Sequence, residues 1–162
     1  MNNPNISFGY RSIITIISFI IVGQISYADG TTPSSGKSAS EKREEANIYF
    51  KRGLNFQNSE NYIEASKEYK KAVRADSKYA EAWSNLGYSY RKQGNYKKAI
   101  KAYKKAIKID PKLAEAHEYL GEAYAEIGKF DLAVEELQIL KSLGSEEAEE
   151  LEAFIEKKKK GA

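Results

Sequence analysis

Ala46, Ala80 and Ala114 head three segments of 34 residues that align without a gap, and a repeat of that length leaves few architectures open. The middle segment reads Trp83-x2-Leu86-Gly87-x2-Tyr90, then Gly94, Tyr96, Ala99-x3-Tyr103, Ala106 and Asp110-Pro111. Trp83, Leu86, Gly87 and Tyr90 stand at i, i+3, i+4 and i+7, one face of a helix. Tyr96, Ala99, Ile100, Tyr103, Ala106 and Ile107 continue the rhythm in a second helix. Gly94-Asn95 supplies the turn between them, and Asp110-Pro111 stops the second helix. Gly87 and Ala99 lack bulk, so the two helices can approach closely while aromatics fill the space on either side. One hairpin of this size cannot cover its own apolar face. Stacked copies cover it for one another, so the period predicts a row of helical hairpins.

The same positions recur in the outer copies. Copy one has Tyr49, Gly53, Phe56, Tyr62, Ala65, Tyr69 and Ala72; copy three has His117, Leu120, Gly121, Tyr124, Gly128, Phe130, Ala133, Leu137 and Leu140. Together these residues resemble the tetratricopeptide repeat, position by position, over roughly residues 46–147. The resemblance implies an all-α, right-handed solenoid of three helical hairpins (46–79, 80–113 and 114–147). Ala148, Leu151, Phe154 and Ile155 then return at helical spacing among glutamates, which predicts a capping helix and basic tail over 148–162. Departures gather in the outer copies: Arg52 stands where Leu is usual, Glu60 where the turn wants Gly, Ser77 and Ser145 in place of Pro. Trp83, in the copy packed on both sides, is expected to be a buried core residue.

In this family the first helices line a concave groove, so the resemblance implies a non-enzymatic module that holds a partner peptide or helix, as an adaptor or assembly factor. Its groove positions carry over to Asn47, Phe50, Leu54, Gln57 and Asn58 in copy one. They fall on Glu81, Ser84, Tyr88, Arg91 and Lys92 in copy two, and on Glu115, Glu118, Glu122, Ala125 and Glu126 in copy three. The candidate site is Phe50, Leu54, Asn85, Tyr88, Arg91, Lys92, Glu115, Glu118, Glu122 and Glu126, running from apolar through aromatic and basic to acidic. Phe50 and Leu54 have no repeat upstream to pack against, unless residues before Ala46 fold back over them. Glu118, Glu122 and Glu126 lie one turn apart, and each like-charge pair costs roughly 0.2–0.5 kcal/mol in isolation, which a cationic partner would relieve. Some members clamp the carboxylate terminus of heat-shock chaperones. Of the residues at those positions here, Phe50, Leu54, Asn85, Glu115 and Tyr119, only Asn85 matches, and that activity is not expected.

Upstream of the repeats, residues 1–11 are polar and include Arg11, Ile13 to Val22 is a mostly apolar run, and Ser26-Tyr27-Ala28 is a small-x-small site. That order is a secretory signal, so 1–28 is expected to be a cleaved signal peptide and the chain to work in the periplasm or outside the cell. The apolar run is shorter than the roughly 17–25 residues of a membrane span; the alternative is an uncleaved anchor. Residues 29–40 (DGTTPSSGKSAS) read as a flexible linker, at whose end Ser38 and Glu41 have capping-box spacing.

With no cysteine, thiol catalysis, disulfides and Cys-ligated metals are excluded, and the one histidine, His117, cannot build a multi-histidine site. His117 occupies the position of Trp83 and Tyr49, which marks it as a half-buried packing residue. No cofactor is implied. The 26 Lys+Arg against 23 Asp+Glu give no case for nucleic acid. Lys97, Lys98, Lys101, Lys104, Lys105 and Lys108 on the outer face of copy two are expected to serve solubility, an acidic partner or membrane surface being the alternative. Besides the partner-binding module, a self-associating structural subunit and a regulatory subunit of a secreted enzyme stay open.

Overall fold

The computed structural model describes residues 36–161; the expected signal peptide and most of the expected linker lie outside them. Among the described residues all regular structure is helical: α1 (Ala39–Asn58), α2 (Tyr62–Ala75), α3 (Ala80–Lys92), α4 (Tyr96–Ile109), α5 (Ala114–Glu126), α6 (Phe130–Leu143) and α7 (Glu147–Lys160). Consecutive helices pack as antiparallel hairpins, α1 with α2, α3 with α4 and α5 with α6, each leaning on the next, and α7 lies across α5 and α6.

Local chemistry explains where these helices begin and end. Ser38 Oγ accepts from the Glu41 amide (3.2 Å) while the Glu41 carboxylate accepts from the Ser38 amide (2.7 Å), a closed capping box. The chain is therefore helical from Ala39, inside the stretch expected to be linker. The extra turns do not fold back over Phe50 and Leu54. They run straight on, held by Arg43, which donates to Asp76 and to the Lys78 carbonyl and lies 4.2 Å from the Tyr79 ring centre.

The turn inside each hairpin needs a left-handed residue, supplied by Gly94 (φ 74°) and Gly128 (φ 75°). In copy one Glu60 takes that conformation (φ 56°), so the irregular sequence keeps the turn at a steric cost. Proline proves unnecessary for leaving a hairpin. Asp76 and Asp110 both accept a backbone hydrogen bond two residues on, from Lys78 (2.8 Å) and Lys112 (2.9 Å), and Ser77 follows one as well as Pro111 the other.

Within a hairpin the helices meet at a glycine. A Cβ on Gly53 would fall 2.5 Å from the Tyr69 ring, and one on Gly87 2.6 Å from the Tyr103 ring, both rings being fully buried. Copy three has Leu137 in place of the tyrosine, and the notch beside Gly121 is filled by Leu151 from α7, again 2.5 Å from a would-be Cβ. Trp83, by contrast, is not a core residue. It is half-buried against the core, its indole N–H donating to the Ser77 carbonyl (3.1 Å), so truncating it removes less than a fully buried aromatic would.

His117 is more deeply placed than a half-buried packing residue, being only 3% exposed. Its ring nitrogens lie 2.7 Å from a Glu136 carboxylate oxygen and 3.1 Å from the Pro111 carbonyl. A carbonyl and a carboxylate both accept, so the site favours the imidazolium, which donates from both nitrogens. The bond to Glu136 raises its pKa above the ordinary 6.5, against an opposing effect of burial. The folded state thus holds this proton more tightly than the unfolded chain. Its stabilisation is complete below pH 6.5 and is lost as pH rises through the raised native value. The melting temperature should fall from mildly acid to mildly alkaline buffer, and should fall less in His117→Gln; parallel melting curves would refute the assignment.

Candidate functional site

The inner faces of α1, α3 and α5 carry the expected groove residues, but the fold has already engaged several of them. Phe50 is half-buried between Tyr69 and Tyr79, with ring centres 5.6 and 5.0 Å away, so it packs downstream in the absence of an upstream repeat. Leu54 is likewise half-buried against the core. Asn85 is buried: its amide donates to the Glu81 carbonyl (3.0 Å), and its side-chain oxygen lies 3.4 Å from the Tyr69 hydroxyl. Asn85 is therefore a buttress for the copy one–copy two junction, not a free contact.

Arg91 and the acidic end depart furthest from expectation. Arg91 does not project toward a partner. Its guanidinium sits 5.4 Å from the Tyr88 ring centre and 5.6 Å from that of Tyr119, and reaches Glu122 at 2.6 Å and Glu126 at 3.6 Å. Lys158 of α7 adds a second cation 3.8 Å from Glu126. The relief that the glutamate row requires is thus supplied from inside the molecule for two of the three. Burial works against the Arg91 charge, but Glu122, then Tyr103 and Glu126, outweigh it and its pKa is raised. Burial pushes the Glu122 carboxyl up and Arg91 pulls it down, the net direction being up.

Glu118 has no such relief. It is 8% exposed and has no ion-pair or hydrogen-bond partner among the described residues. Burial first, and then the charges of Glu122, Glu150, Glu147 and Glu115, push its carboxyl up to about 8. The folded state is favoured while this group is protonated and loses that advantage as pH rises through the native value. Glu115, half-buried beside it, is raised by burial and then by Glu147 and Glu81. Two of the glutamates acting on this corner, Glu147 and Glu150, belong to the first turn of α7, where the helix dipole favours acids.

Between these ends lies an aromatic floor that the groove positions alone do not reveal. Tyr62, Tyr88 and Tyr119 follow one another with ring centres 6.0 and 5.1 Å apart, and Tyr103 stands 6.1 Å from Tyr119. Lys92 is exposed, its ammonium 5.5 Å from the Tyr62 ring and 5.8 Å from the Tyr88 ring, with no carboxylate paired to it among the described residues. Tyr62 and Tyr119 are the residues missed. Tyr119 shares the sixth repeat position with Asn85, which the resemblance had already marked as groove-facing, so that signal was present. The six lysines of α4 are all exposed on the opposite side. Among the described residues no cluster of three or more His, Asp or Glu is placed to hold a metal, and no helix is long and apolar enough to cross a membrane.

Tetratricopeptide-repeat family models match residues 46–79, 68–101 and 87–128. The chain carries tetratricopeptide repeats. The same architecture recurs in solved structures. The TPR2B domain of yeast Sti1, in a pHsp70 complex, superposes with a TM-score of 0.66 at 21% identity, covering 75% of this chain and 99% of that one. The second TPR of Spaghetti (RPAP3), bound to the HSP90 peptide SRMEEVD, gives 0.62 at 26% identity over 65% of this chain and 96% of that one. The crystal structure of MamA gives 0.57 at 31% identity over 72% of this chain and 61% of that one. No curated protein sequence matches the chain. The family models end at Gly128, so the second helix of the third repeat, with its irregular Leu137, is assigned by the structure.

Arg91 ties the second repeat to the third, and removing it would leave buried carboxylates without their main cation. Arg91→Met should lower the stability of the whole stack by up to roughly 3–5 kcal/mol, with little change in helix content before melting. Wild-type stability in a thermal melt would show Arg91 to be a spare groove residue after all.

Proposed function

We propose that this chain is an exported, non-enzymatic TPR module that holds a segment of an envelope or secreted protein in its concave groove. The observation that carries this reading is the buried Glu118, without a partner among the described residues, at the end of an aromatic floor. The fold tolerates a carboxyl there that a cationic side chain would stabilise. Leu54 and the exposed edges of Phe50 and Tyr88 offer apolar contact, Lys92 a single free cation, and Glu115 with Glu118 the receptor for Lys or Arg. Asn85, Arg91, Glu122 and Glu126 act behind this surface by holding the repeats in register.

Solved structures of the same architecture with HSP90 or HSP70 peptides bound support the reading that the chain holds a peptide segment. They do not supply the ligand. The HSP90 peptide ends in EEVD, whereas this end of the groove itself holds carboxyls, Glu115 and Glu118, so the expected partner segment is basic. Export rests on the residue pattern of 1–28. Intact-mass measurement of protein recovered from the envelope should give a chain beginning at Asp29; a full-length chain in the membrane fraction would mean a retained anchor.

Binding can be tested with a partner captured on the purified protein from envelope extract. A cation beside Glu118 favours the ionised carboxylate, so association at neutral pH should release a proton. Calorimetry in buffers of different ionisation enthalpy should give different apparent heats for wild type, and equal heats with weaker binding for Glu118→Gln. Leu54→Ala should weaken binding by about 1–3 kcal/mol with little salt dependence. Unchanged affinity in both variants would move the binding surface off the groove.

A further inference from the structure

Each first helix has a second face, turned toward the preceding repeat. In copy two it comprises Ala82, Trp83, Leu86 and Tyr90, and in copy three Ala116, His117, Leu120 and Tyr124; all but Trp83 are buried. In copy one the same positions hold Ile48, Tyr49, Arg52 and Phe56, and no described element packs over them. Ile48 is 51% and Phe56 37% exposed, Arg52 is exposed, and Tyr49 is half-buried.

The geometry points to a second copy of this chain as the occupant of that face, docked α1 to α1 and antiparallel. Glu45, Ile48, Tyr49, Arg52 and Phe56 lie at i, i+3, i+4, i+7 and i+11, so one stripe carries an acid, an apolar centre and a base in that order. A two-fold axis between Ile48 and Tyr49 sets Ile48 on Tyr49 of the other copy and Glu45 on Arg52 of the other copy, and symmetry makes each contact twice. A parallel arrangement would set Glu45 on Glu45 and Arg52 on Arg52. On the flanks the same axis sets Lys42 on Asn55 and Glu41 on Phe56 of the other copy, so the charge pairing rests on Glu45 and Arg52.

The neighbouring charges leave this pairing open. Arg52 lies 5.9 Å from its own Tyr49 ring and has no carboxylate partner among the described residues. Glu45 is 2.7 Å from Lys37, an exposed pair of little worth that can be exchanged for Arg52 of the other copy. From α2, Lys71 approaches the Tyr49 ring at 5.7 Å and is paired with Glu68, so its charge is already met within its own copy. A single helix pair buries a modest area, so the dimer should be weak and concentration-dependent. The groove lies on another face of α1. The inference therefore stands apart from the groove reading, and a dimer would present two grooves to a multivalent partner.

Sedimentation equilibrium of the purified protein, over a hundredfold concentration series reaching about 0.5 mM, tests this. The mass should climb from monomer to dimer. Glu45→Arg and Arg52→Glu should each weaken association about tenfold or more, and the double exchange should restore it, because it recreates the pair with its signs reversed. Circular dichroism on each variant checks that the exposed substitutions leave the fold intact. A wild-type monomer at every concentration, a dimer indifferent to the single exchanges, or a double variant as weak as the singles would each overturn the proposal.

Discussion

Everything in this stack depends on a tyrosine ring pressed into a glycine notch. Tyr69 on Gly53 and Tyr103 on Gly87 set how close the two helices of a hairpin come, and both rings are fully buried with no room for one added carbon. Once that distance is fixed, the outer faces of each hairpin have a defined spacing, and the next repeat can pack on them in the same way. The rule breaks in copy three, and the break shows what α7 does. Leu137 is too short to fill the notch, so Leu151 enters from α7 and completes the third hairpin from outside. The terminal helix is then part of the repeat's core as well as a solubilising cap.

The fold was legible because its causes are local and periodic. A glycine, a facing aromatic and a turn recur at fixed offsets, and each has one structural meaning. The irregular positions were also survivable for local reasons: an Asx turn at Asp76 replaces proline, and Glu60 accepts a left-handed conformation. The candidate site was legible only halfway. Repeat position tells which way a side chain points and says nothing of who else arrives there. Arg91, Glu122 and Asn85 all point inward as their positions require, yet Arg91 and Glu122 take each other, and Asn85 is taken by Tyr69 and its own helix. Pairing between helices is set by side-chain reach across a groove, and 34-residue spacing does not encode it. His117 shows the same limit, since its partner Glu136 lies on another helix.

These internal pairings narrow what the groove can recognise. A surface whose positions run from apolar through aromatic and basic to acidic is, among the described residues, closer to an aromatic floor with one free cation, Lys92, near its middle and two unpaired carboxyls, Glu115 and Glu118, at its end. Arg91 has been withdrawn from recognition and spent on the junction between repeats. Two tyrosine faces and two carboxylates hold it in place, an arrangement that suits a planar guanidinium better than a lysine.

Glu118 is where two local rules conflict. The start of α7 favours acids because of its dipole, and it places Glu147 and Glu150 near a groove that already holds Glu115, Glu118 and Glu122. A cation at the twelfth position of copy three would resolve this, as Arg91 does at the same position of copy two. The residue there is Ala125, which is buried and small. Lys158 of the cap pairs with Glu126 instead. A core substitution or a neutral residue on α7 would have removed the strain without touching any repeat-defining position. In a sequence whose local choices mostly agree with the fold, an unresolved conflict in the groove is the pattern expected of a surface completed by another molecule. On the proposed reading, that molecule would bring a cation or hydrogen-bond donors, either of which lowers the cost of ionising Glu118 where it stands.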